Sequence, residues 1–521
     1  MANRDISYAL NFHEITKHSY VSVRTNRYYL DWSIKPYPFK VYIDLPKISL
    51  PKDFPKPEKN SLECFKQPEI FSEEDLGLKK ITELLYFTAG ISRVEKFGLE
   101  SYYFRVAPAT GALYSTEVYF MCKDLKDLKA GLYHFDPGEF VITKLREGDY
   151  RYMISKFCGN DTNIAYSPVT FIFTSIGWRN VWKYRIRSYR HWFWDSGVMI
   201  ANLLTVANSE NLETKLIMNF VDKEINRFLG IDGKKECALA LVSIGAPKFK
   251  NEEEKTIEEI KYQILPLSKK EIEYKEIYEM HENSSLYTID EVIELRNEGK
   301  TGFYKEVHDK CNFQLLGEEK TEIPLWKVIL KRGSTRRFSL KPIKASHLYT
   351  ILKFSTTGIN CDFLKDYNDT LIEIYLIVNA IEGLETGAYY YNKKLNCLEL
   401  LKKGKFRETA GYLCLEQDLG YEASVVFFLM NNLNETLKKF GNRGYRMAQI
   451  EAGIIAGKIY LTSYSLNIGA TGLTFYDDDI TNFFSPHASN KSNMMVVAIG
   501  YPAYKAKEGK IYTGIVKHKI K

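Results

Sequence analysis

The chain has 521 residues, which is more than one ordinary domain holds, so two or three domains are expected. Hydrophobic residues make up 45% of the chain and charged residues 26%, a balance that excludes an intrinsically disordered protein. The net charge of +7 is small for this length and argues against a protein dedicated to binding nucleic acid.

The cysteines and the N-terminus predict a soluble, cytoplasmic protein with no membrane partner. Eight cysteines without a CxxC pair are too few for a disulfide scaffold, so reduced thiols are expected. The first residues, MANRDISYALNFHEITKH, lack the apolar stretch of a signal peptide. No uninterrupted apolar run approaches the length that spans a membrane.

Four segments recur in the same order along the chain. The first set is KAGLYHFD, KYRIRSYR, NFVDKEINRFLG and VSIGAP, and the second is ETGAYYYN, KFGNRGYR, TFYDDDITNFFS and VAIGYP, each 255 or 256 residues further on. A nearly constant offset of this kind predicts a tandem duplication of a unit of roughly 200 residues.

The segments between the repeats set the expected domain limits. Residues 1–70 are rich in proline and predict an extended arm around the body. Residues 248–320 are highly charged and predict a solvated linker with surface helices. The two copies then occupy 71–247 and 321–521.

Each copy is predicted to mix helices and strands. Short apolar runs rich in β-branched and aromatic residues predict buried strands at 169–176, 238–244, 371–379, 424–430 and 494–499. Two runs that are apolar nearly all round, 195–208 and 451–465, predict buried central helices. Gly197 and Gly453 stand at equivalent places in them and would allow the helices to pack closely.

Two segments predict a ligand site. RGSTRRF contains Arg332, Arg336 and Ser334, and arginine forks with hydroxyl groups bind phosphate, although a solvated basic turn is the alternative. RVAPATGALYSTEVY places Pro108 and neighbouring small residues in a loop before a strand, where backbone amides can approach a planar ligand. An ordinary turn is the alternative for this loop.

Two further segments are weaker signals. NIGATGLTF follows the second central helix, and its Gly469 and Gly472 would expose amides to a ligand unless this is a simple turn. In KYRIRSYR, Lys183 and Tyr184 would form a proton-transfer pair if buried, because desolvation lowers the pKa of lysine. The alternative is a basic surface stretch at a helix start. The sequence shows no metal-ligand cluster.

Taken in order, these segments resemble the nitroreductase-like flavoproteins, and within them the SagB/ThcOx-type dehydrogenases. FHEITKHS, AGIS, RVAPATGALYSTEVY, KAGLYHF, KYRIRSYR, YKEIYEMHENSSL and GSTRRF carry the resemblance, which spans nearly the whole chain. It implies an α+β fold, a tandem pair of three-layer sandwich domains that form an intrachain pseudo-dimer. The chain would be a monomer or a further homodimer of that unit.

The resemblance also implies an FMN site shared by two subunits. The residues that it assigns to FMN are Arg332, Ser334, Arg336, Pro108, Ala109, Thr110, Gly111, Gly469, Thr471 and Gly472. The residues that it assigns to catalysis are Lys183 and Tyr184. Ala109 stands where the family usually has serine, which puts activity in doubt more than FMN binding.

The two halves have lost complementary parts of this site. CFKQPEI, residues 64–70, stands in the first half where the second has RGSTRRF, so the first half lacks the arginines. The second half lacks the PATGAL loop, and its lysine–tyrosine pair is Lys439 and Phe440. One composite site therefore keeps every part, and one FMN per chain is expected.

The leading prediction is an FMN-dependent dehydrogenase that oxidises thiazoline or oxazoline rings of a ribosomally made peptide to azoles. A cyclodehydratase and the precursor peptide would be its partners. The first alternative is an NAD(P)H-dependent nitro or quinone reductase acting on a small molecule. The second is a non-catalytic partner of a peptide-modifying complex.

Overall fold

The computed structural model of the chain describes residues 2–72, 76–98, 100–250, 252–302 and 309–518. The elements of the first half are α1 (Ser7–Ile15), α2 (Tyr20–Arg24), β1 (Lys47–Ser49), α3 (Leu78–Ala89), β2 (Ile91–Phe97), β3 (Glu100–Arg105), β4 (Thr116–Cys122), β5 (Gly131–Asp136), β6 (Val141–Glu147), α4 (Arg151–Phe157), α5 (Thr162–Tyr166), β7 (Val169–Ile176), α6 (Gly177–Tyr184), α7 (Ser188–Ser209), β8 (Thr214–Ile217), α8 (Asp222–Leu229) and β9 (Glu236–Ile244). The elements of the second half are α9 (Lys275–Asn283), α10 (Ile289–Lys300), β10 (Phe313–Gln314), α11 (Leu325–Lys331), α12 (Ala345–Ser355), β11 (Glu373–Val378), β12 (Gly387–Asn392), β13 (Cys397–Lys403), α13 (Arg407–Leu413), α14 (Asp418–Glu422), β14 (Val425–Asn431), α15 (Leu433–Phe440), α16 (Arg443–Ser465), β15 (Gly469–Leu473), α17 (Asp477–Phe484) and β16 (Ser492–Gly500).

The two halves have the same sheet topology. The first sheet has the strand order β1-β6-β5-β4-β7-β9-β8, and the second has β10-β13-β12-β11-β14-β16-β15. Neighbouring strands in both are antiparallel, as in the pairs β7 with β9 and β14 with β16. This correspondence confirms the predicted α+β fold and its tandem duplication.

The predicted central elements form where the sequence indicated. All eight residues of β7 are buried, which explains why its sequence is continuously apolar. The predicted helices 195–208 and 451–465 are the inner parts of α7 and α16, and both helices begin several residues earlier.

The helices α7 and α16 cross at two glycines. A Cβ atom on Gly197 would lie 2.4 Å from the carbonyl oxygen of Ile450, and one on Gly453 would lie 2.6 Å from that of Trp194. Only glycine allows this approach, so the predicted role of the two glycines in close helix packing is confirmed.

Buried ion pairs join the two halves reciprocally. Asp477 of the second half pairs with Arg187 at 2.9 Å and with Arg190 at 2.7 Å in the first half. Asp222 of the first half pairs in the same way with two arginines at the start of α16. Burial raises the pKa of Asp222, but these two arginines outweigh it and hold the pKa at about 2. Removing one partner of such a pair leaves an uncompensated buried charge.

The repeat also includes the helices α1 and α9, which the sequence analysis predicted to lie outside it. Arg190 donates to the carbonyl oxygen of His13 in α1 at 2.7 Å, and Arg446 donates to that of His281 in α9 at 2.6 Å. The helices α1 and α9 are therefore counterparts. Residues 1–70 contain α1 and α2 besides extended segments, and the segment 248–320 contains α9 and α10. One face of α9 is buried, at Ile277, Met280 and His281.

Candidate functional site

The RGSTRRF segment follows α11 and packs against the open edge of β15. The amide of Thr335 donates to the carbonyl oxygen of Ala470 at 3.0 Å. A Cβ atom on Gly469 would lie 2.2 Å from the Thr335 hydroxyl oxygen, so glycine is required for this contact. Residues Gly469–Leu473 form an edge strand and not the loop that the sequence suggested, because they pair with β16 along their length.

Arg332 is the buried arginine of this segment. Its Nε donates to the carbonyl oxygen of Val106 at 3.0 Å, and its Nη2 donates to that of Arg105 at 3.1 Å. Within the described ranges, no carboxylate forms an ion pair with it. Burial is the main cause that lowers its pKa. Arg332 thus brings an unneutralised cationic group from the second half to the loop of the first half.

Hydroxyl groups connect this segment to the Gly-containing strand. The hydroxyl oxygen of Tyr460 on α16 lies 3.3 Å from the hydroxyl oxygen of Ser334. The same Tyr460 hydroxyl accepts a hydrogen bond from the amide of Gly472 at 2.5 Å. Thr471 is buried in the strand, whereas Arg336 is exposed. The structure therefore brings Ser334 and Gly472 together and leaves the Arg336 side chain at the surface.

The PATGAL loop forms a 3-10 turn over Thr110–Ala112. Gly111 is exposed and has a positive φ of 61°, a conformation that favours glycine. Pro108 and Ala109 are half-buried just before the turn. The loop lies at the interface between the halves, because Arg332 binds the carbonyl group of Val106 immediately before it.

Tyr184 lies against this loop at the end of α6. Its hydroxyl oxygen is 2.5 Å from the position of a Cβ atom on Gly111, and its ring meets His191 edge-on at 4.6 Å between centroids. Burial raises its pKa, so the phenol stays protonated at neutral pH. Lys183 is exposed, with its Nζ 5.4 Å from the Tyr184 ring centroid. The burial required of the pair holds for Tyr184 and not for Lys183, which faces solvent.

Asp195 is a residue of the site that was not predicted from the sequence. Its Oδ1 accepts hydrogen bonds from the Thr110 amide at 2.9 Å and from the Thr110 hydroxyl at 2.8 Å. Its Oδ2 is buried, and the side chain of Asn180 interacts with the carboxyl group. Burial raises the pKa of Asp195 to about 7, although the Thr110 hydrogen bonds oppose the shift. Asp195 is the one acidic residue of α7, but its partner Thr110 is evident only from the structure.

Lys439 and Lys66, the counterparts of Lys183 and Ser334 at the second composite site, contact other residues of the protein. Lys439 donates to the Thr301 hydroxyl at 3.0 Å and also to the Gly302 carbonyl oxygen. Lys66, which stands opposite Ser334 in the repeat, pairs with Glu63 and Glu318. Lys439 and Lys66 therefore both have partners within the protein.

Potential metal ligands occur together on the first sheet and the C-terminal tail. Asp136, Glu139 and His518 form such a group within the described ranges, with His518 Nε2 at 2.7 Å from Asp136 Oδ2. This contact fastens the C-terminal tail to the first sheet.

In the part of the chain that the structure covers, no helix has the length and apolar character needed to cross a bilayer.

Residues 329–501 match the Nitroreductase family model, a range that starts just before RGSTRRF and ends with β16. The second half is therefore a nitroreductase-family domain, and the first half repeats its topology. Proteins of this family are oxidoreductases that usually bind FMN. The predicted resemblance to nitroreductase-like proteins is confirmed.

The chain is similar to curated proteins and to solved structures, three of which are compared with it as follows. A protein of Methanocaldococcus jannaschii named as a nitroreductase is 28% identical over 165 residues, 30% of this chain and 83% of that protein. The microcin B17-processing protein McbC of Escherichia coli is 24% identical over 147 residues, 27% of this chain and 54% of that protein. A crystal structure from Anabaena variabilis, titled a nitroreductase, has a TM-score of 0.76 and 24% identity, covering 95% of this chain and 99% of that one. The last match shows that the whole tandem fold exists elsewhere.

The residues at the composite site are suited to a flavin mononucleotide. A phosphate needs cationic and hydroxyl donors, and the described part of the chain offers buried Arg332 without a carboxylate beside the Ser334 hydroxyl. The isoalloxazine ring carries an amide-like N–H donor, and the buried carboxyl group of Asp195 offers acceptor oxygens. Arg332, Ser334, Thr110 and Asp195 would hold the group.

Proposed function

We propose that the chain is an FMN-dependent dehydrogenase with one flavin per chain. The observation that carries the proposal is the position of Arg332, a buried cation without a carboxylate partner in the described residues, which binds the carbonyl group of Val106. A buried charge of this kind is costly unless an anion joins it, and the FMN phosphate is such an anion. The flavin loop, the catalytic pair and the phosphate donors then converge from the two halves.

We further propose that the substrate is a thiazoline or oxazoline ring in a ribosomally made peptide. Support comes from the similarity to a protein named for microcin processing and from the SagB-type motifs of the sequence. A cyclodehydratase and a precursor peptide would accompany such an enzyme. All eight cysteines are free and seven of them are buried, which supports a reducing, cytoplasmic location.

Oxidation of an azoline to an azole removes a hydride and a proton. When bound, FMN accepts the hydride. Tyr184 stays protonated because of its burial, so its hydroxyl donates a hydrogen bond and orients the substrate at the Gly111 turn. Lys183, whose Nζ lies on the solvent side of the Tyr184 ring, can accept the substrate proton only after its own ammonium group has released one to solvent. Asp195 positions the loop through the two hydrogen bonds from Thr110.

The exposure of Lys183 favours one alternative, a reductase that transfers hydride from NAD(P)H to a nitro or quinone compound. Such a reaction needs an accessible flavin but no buried proton-transfer pair. The similarity to the archaeal protein named as a nitroreductase also supports it.

The test uses a peptide that carries thiazolines and is incubated with the FMN-loaded full chain. Mass spectrometry should show the loss of two hydrogens for each ring oxidised. No change in the peptide, together with rapid NAD(P)H consumption in the presence of a nitroaromatic compound, would establish the alternative.

A further inference from the structure

A large cavity lies in the second half, at the counterpart of the proposed flavin site. Its volume is about 790 Å³, and its walls are the end of α12, the start of β11, the end of β12 and one face of α16. A second cavity of about 20 Å³ beside Cys64 and Gln67 shares Lys458 with it. Glu451 and Lys458 stand on α16 where Asp195 and Asn202 stand on α7. The cavity therefore occupies the site from which the arginine segment and the PATGAL loop have been lost.

In the first half an arginine occupies the space beside the counterpart of Glu373. There Arg179 of α6 donates to Glu117 and to a carbonyl oxygen of the loop before β4. In the second half the counterpart of Arg179 is Glu435, which is exposed on α15. Glu373, the counterpart of Glu117, lines the cavity. The end of the cavity beside Glu373 is therefore open where the first half has a buried arginine.

Lys458 is the buried cation of this cavity. Its Nζ donates to the carbonyl oxygen of Thr357 at 2.5 Å, and no carboxylate in the described ranges lies within ion-pair distance. Asn202, the counterpart of Lys458, carries no charge and donates to the carbonyl oxygen of Phe87, two residues before the counterpart of Thr357. Burial, with a contribution from Lys393, lowers the pKa of Lys458 to about 7, and Glu451 opposes this. An ammonium group has three donors, so Lys458 can bind a further acceptor.

The acidic residues of the cavity, Glu451, Glu373 and Asp369, contact other groups. Glu451 accepts hydrogen bonds from the Thr370 hydroxyl and from the Leu371 amide. Glu373 pairs with Lys491 at 3.0 Å, and Asp369 accepts a hydrogen bond from the Thr370 amide at 3.0 Å. Glu451 acts on Lys458 electrostatically, but within the described ranges no ion pair joins Lys458 to a carboxylate. Isoleucines line part of the remaining space, namely Ile372, Ile374, Ile454 and Ile455.

We propose that this cavity binds a small organic acid whose carboxylate pairs with Lys458 and whose apolar body packs against the isoleucines. The volume lies in the range of small-molecule sites, which are mostly apolar with a few polar groups that fix orientation. The end that would receive a phosphate is only about 20 Å³ and has no arginine, so FMN is excluded. The proposal is independent of the flavin site, because it uses none of that site's residues.

The probe for this proposal is 2-naphthoate, with the uncharged 2-naphthamide as its matched control. Isothermal titration of the FMN-loaded full chain should show one saturable naphthoate site and at least about ten-fold weaker binding of the amide. Lys458→Met should weaken naphthoate by about ten-fold or more and leave the amide unchanged. Lys458→Asn copies the residue of the first half, removes the charge and provides a second test if the methionine variant fails to fold. Lys394→Met, at the exposed rim, is the control and should have little effect.

Several results would overturn the proposal. They are the absence of saturable binding at millimolar naphthoate, equal affinity for the amide, an unchanged affinity in a folded Lys458 variant, and displacement of naphthoate by FMN. Arg332→Ala separates this proposal from the flavin proposal. Naphthoate should still bind to that variant whether or not it retains flavin.

Discussion

Substitution of Arg332 by alanine should remove the flavin while leaving the fold assembled. The change deletes a buried guanidinium that binds two carbonyl groups of the first half at 3.0 and 3.1 Å. Loss of one member of a buried, hydrogen-bonded charge pair costs about 2–4 kcal/mol, which corresponds to a decrease of about 30- to 1000-fold in FMN affinity. Fluorescence titration of the apoprotein with FMN measures this change directly.

The matched controls for Arg332 come from the same segment and from its counterpart. Arg337→Ala removes an exposed arginine and should leave FMN affinity unchanged, as should Lys66→Ala in the first half. Arg332→Lys keeps the charge but loses the planar fork, so it should give an intermediate affinity. Equal loss of flavin from the Arg332 and Arg337 variants, or full flavin retention in Arg332→Ala, would refute the assignment. Thermal melting of each apoprotein checks that the variants are folded.

Further predictions concern proton transfer, pH and helix packing. Tyr184→Phe and Lys183→Ala should retain flavin but lower the rate of peptide oxidation by about 10²–10⁴-fold. Lys439→Ala is the control and should leave turnover unchanged. Turnover at the parental rate in both first-half variants would exclude the pair from catalysis. The pKa of Asp195 is raised in the folded chain to about 7, so its contribution to stability is complete below about pH 4 and is lost as the pH rises through 7. The melting temperature of Asp195→Asn should therefore exceed that of the parent protein at pH 8, and the difference should be much smaller at pH 5. An equal difference in melting temperature at both pH values would contradict this reasoning. Gly197→Ala places a Cβ atom 2.4 Å from a backbone carbonyl oxygen of α16 and should destabilise the fold by about 1–3 kcal/mol in denaturant titrations; an unchanged midpoint would show that the helices can separate freely.

Much of the fold could be predicted because the duplication is visible in the sequence. The apolar runs at 169–176 and 424–430 are strands buried on both faces, so their pattern is continuous and hard to mistake. The crossing of the central helices was predictable from Gly197 and Gly453, since glycines at equivalent places in two buried helices indicate close packing.

The rest depended on tertiary contacts that local patterns do not contain. Gly469–Leu473 contains two glycines and has weak strand propensity, yet it pairs with β16 and so forms a strand. The exposure of Lys183 follows from the direction in which α6 ends, which the sequence does not specify. Asp195 was hidden because an acid in an apolar helix becomes informative only when its partner, Thr110, is known from the structure.

The stoichiometry of flavin is the most direct test of the central claim, that one composite site survives from a duplicated pair. The full chain is saturated with FMN, freed of excess ligand, denatured, and analysed for released flavin against protein concentration. The account predicts one FMN per chain, because Arg332 and the PATGAL loop meet at one site and Lys66 and Lys439 have structural partners at the other. Two FMN per chain would contradict it, and so would a protein that retains none.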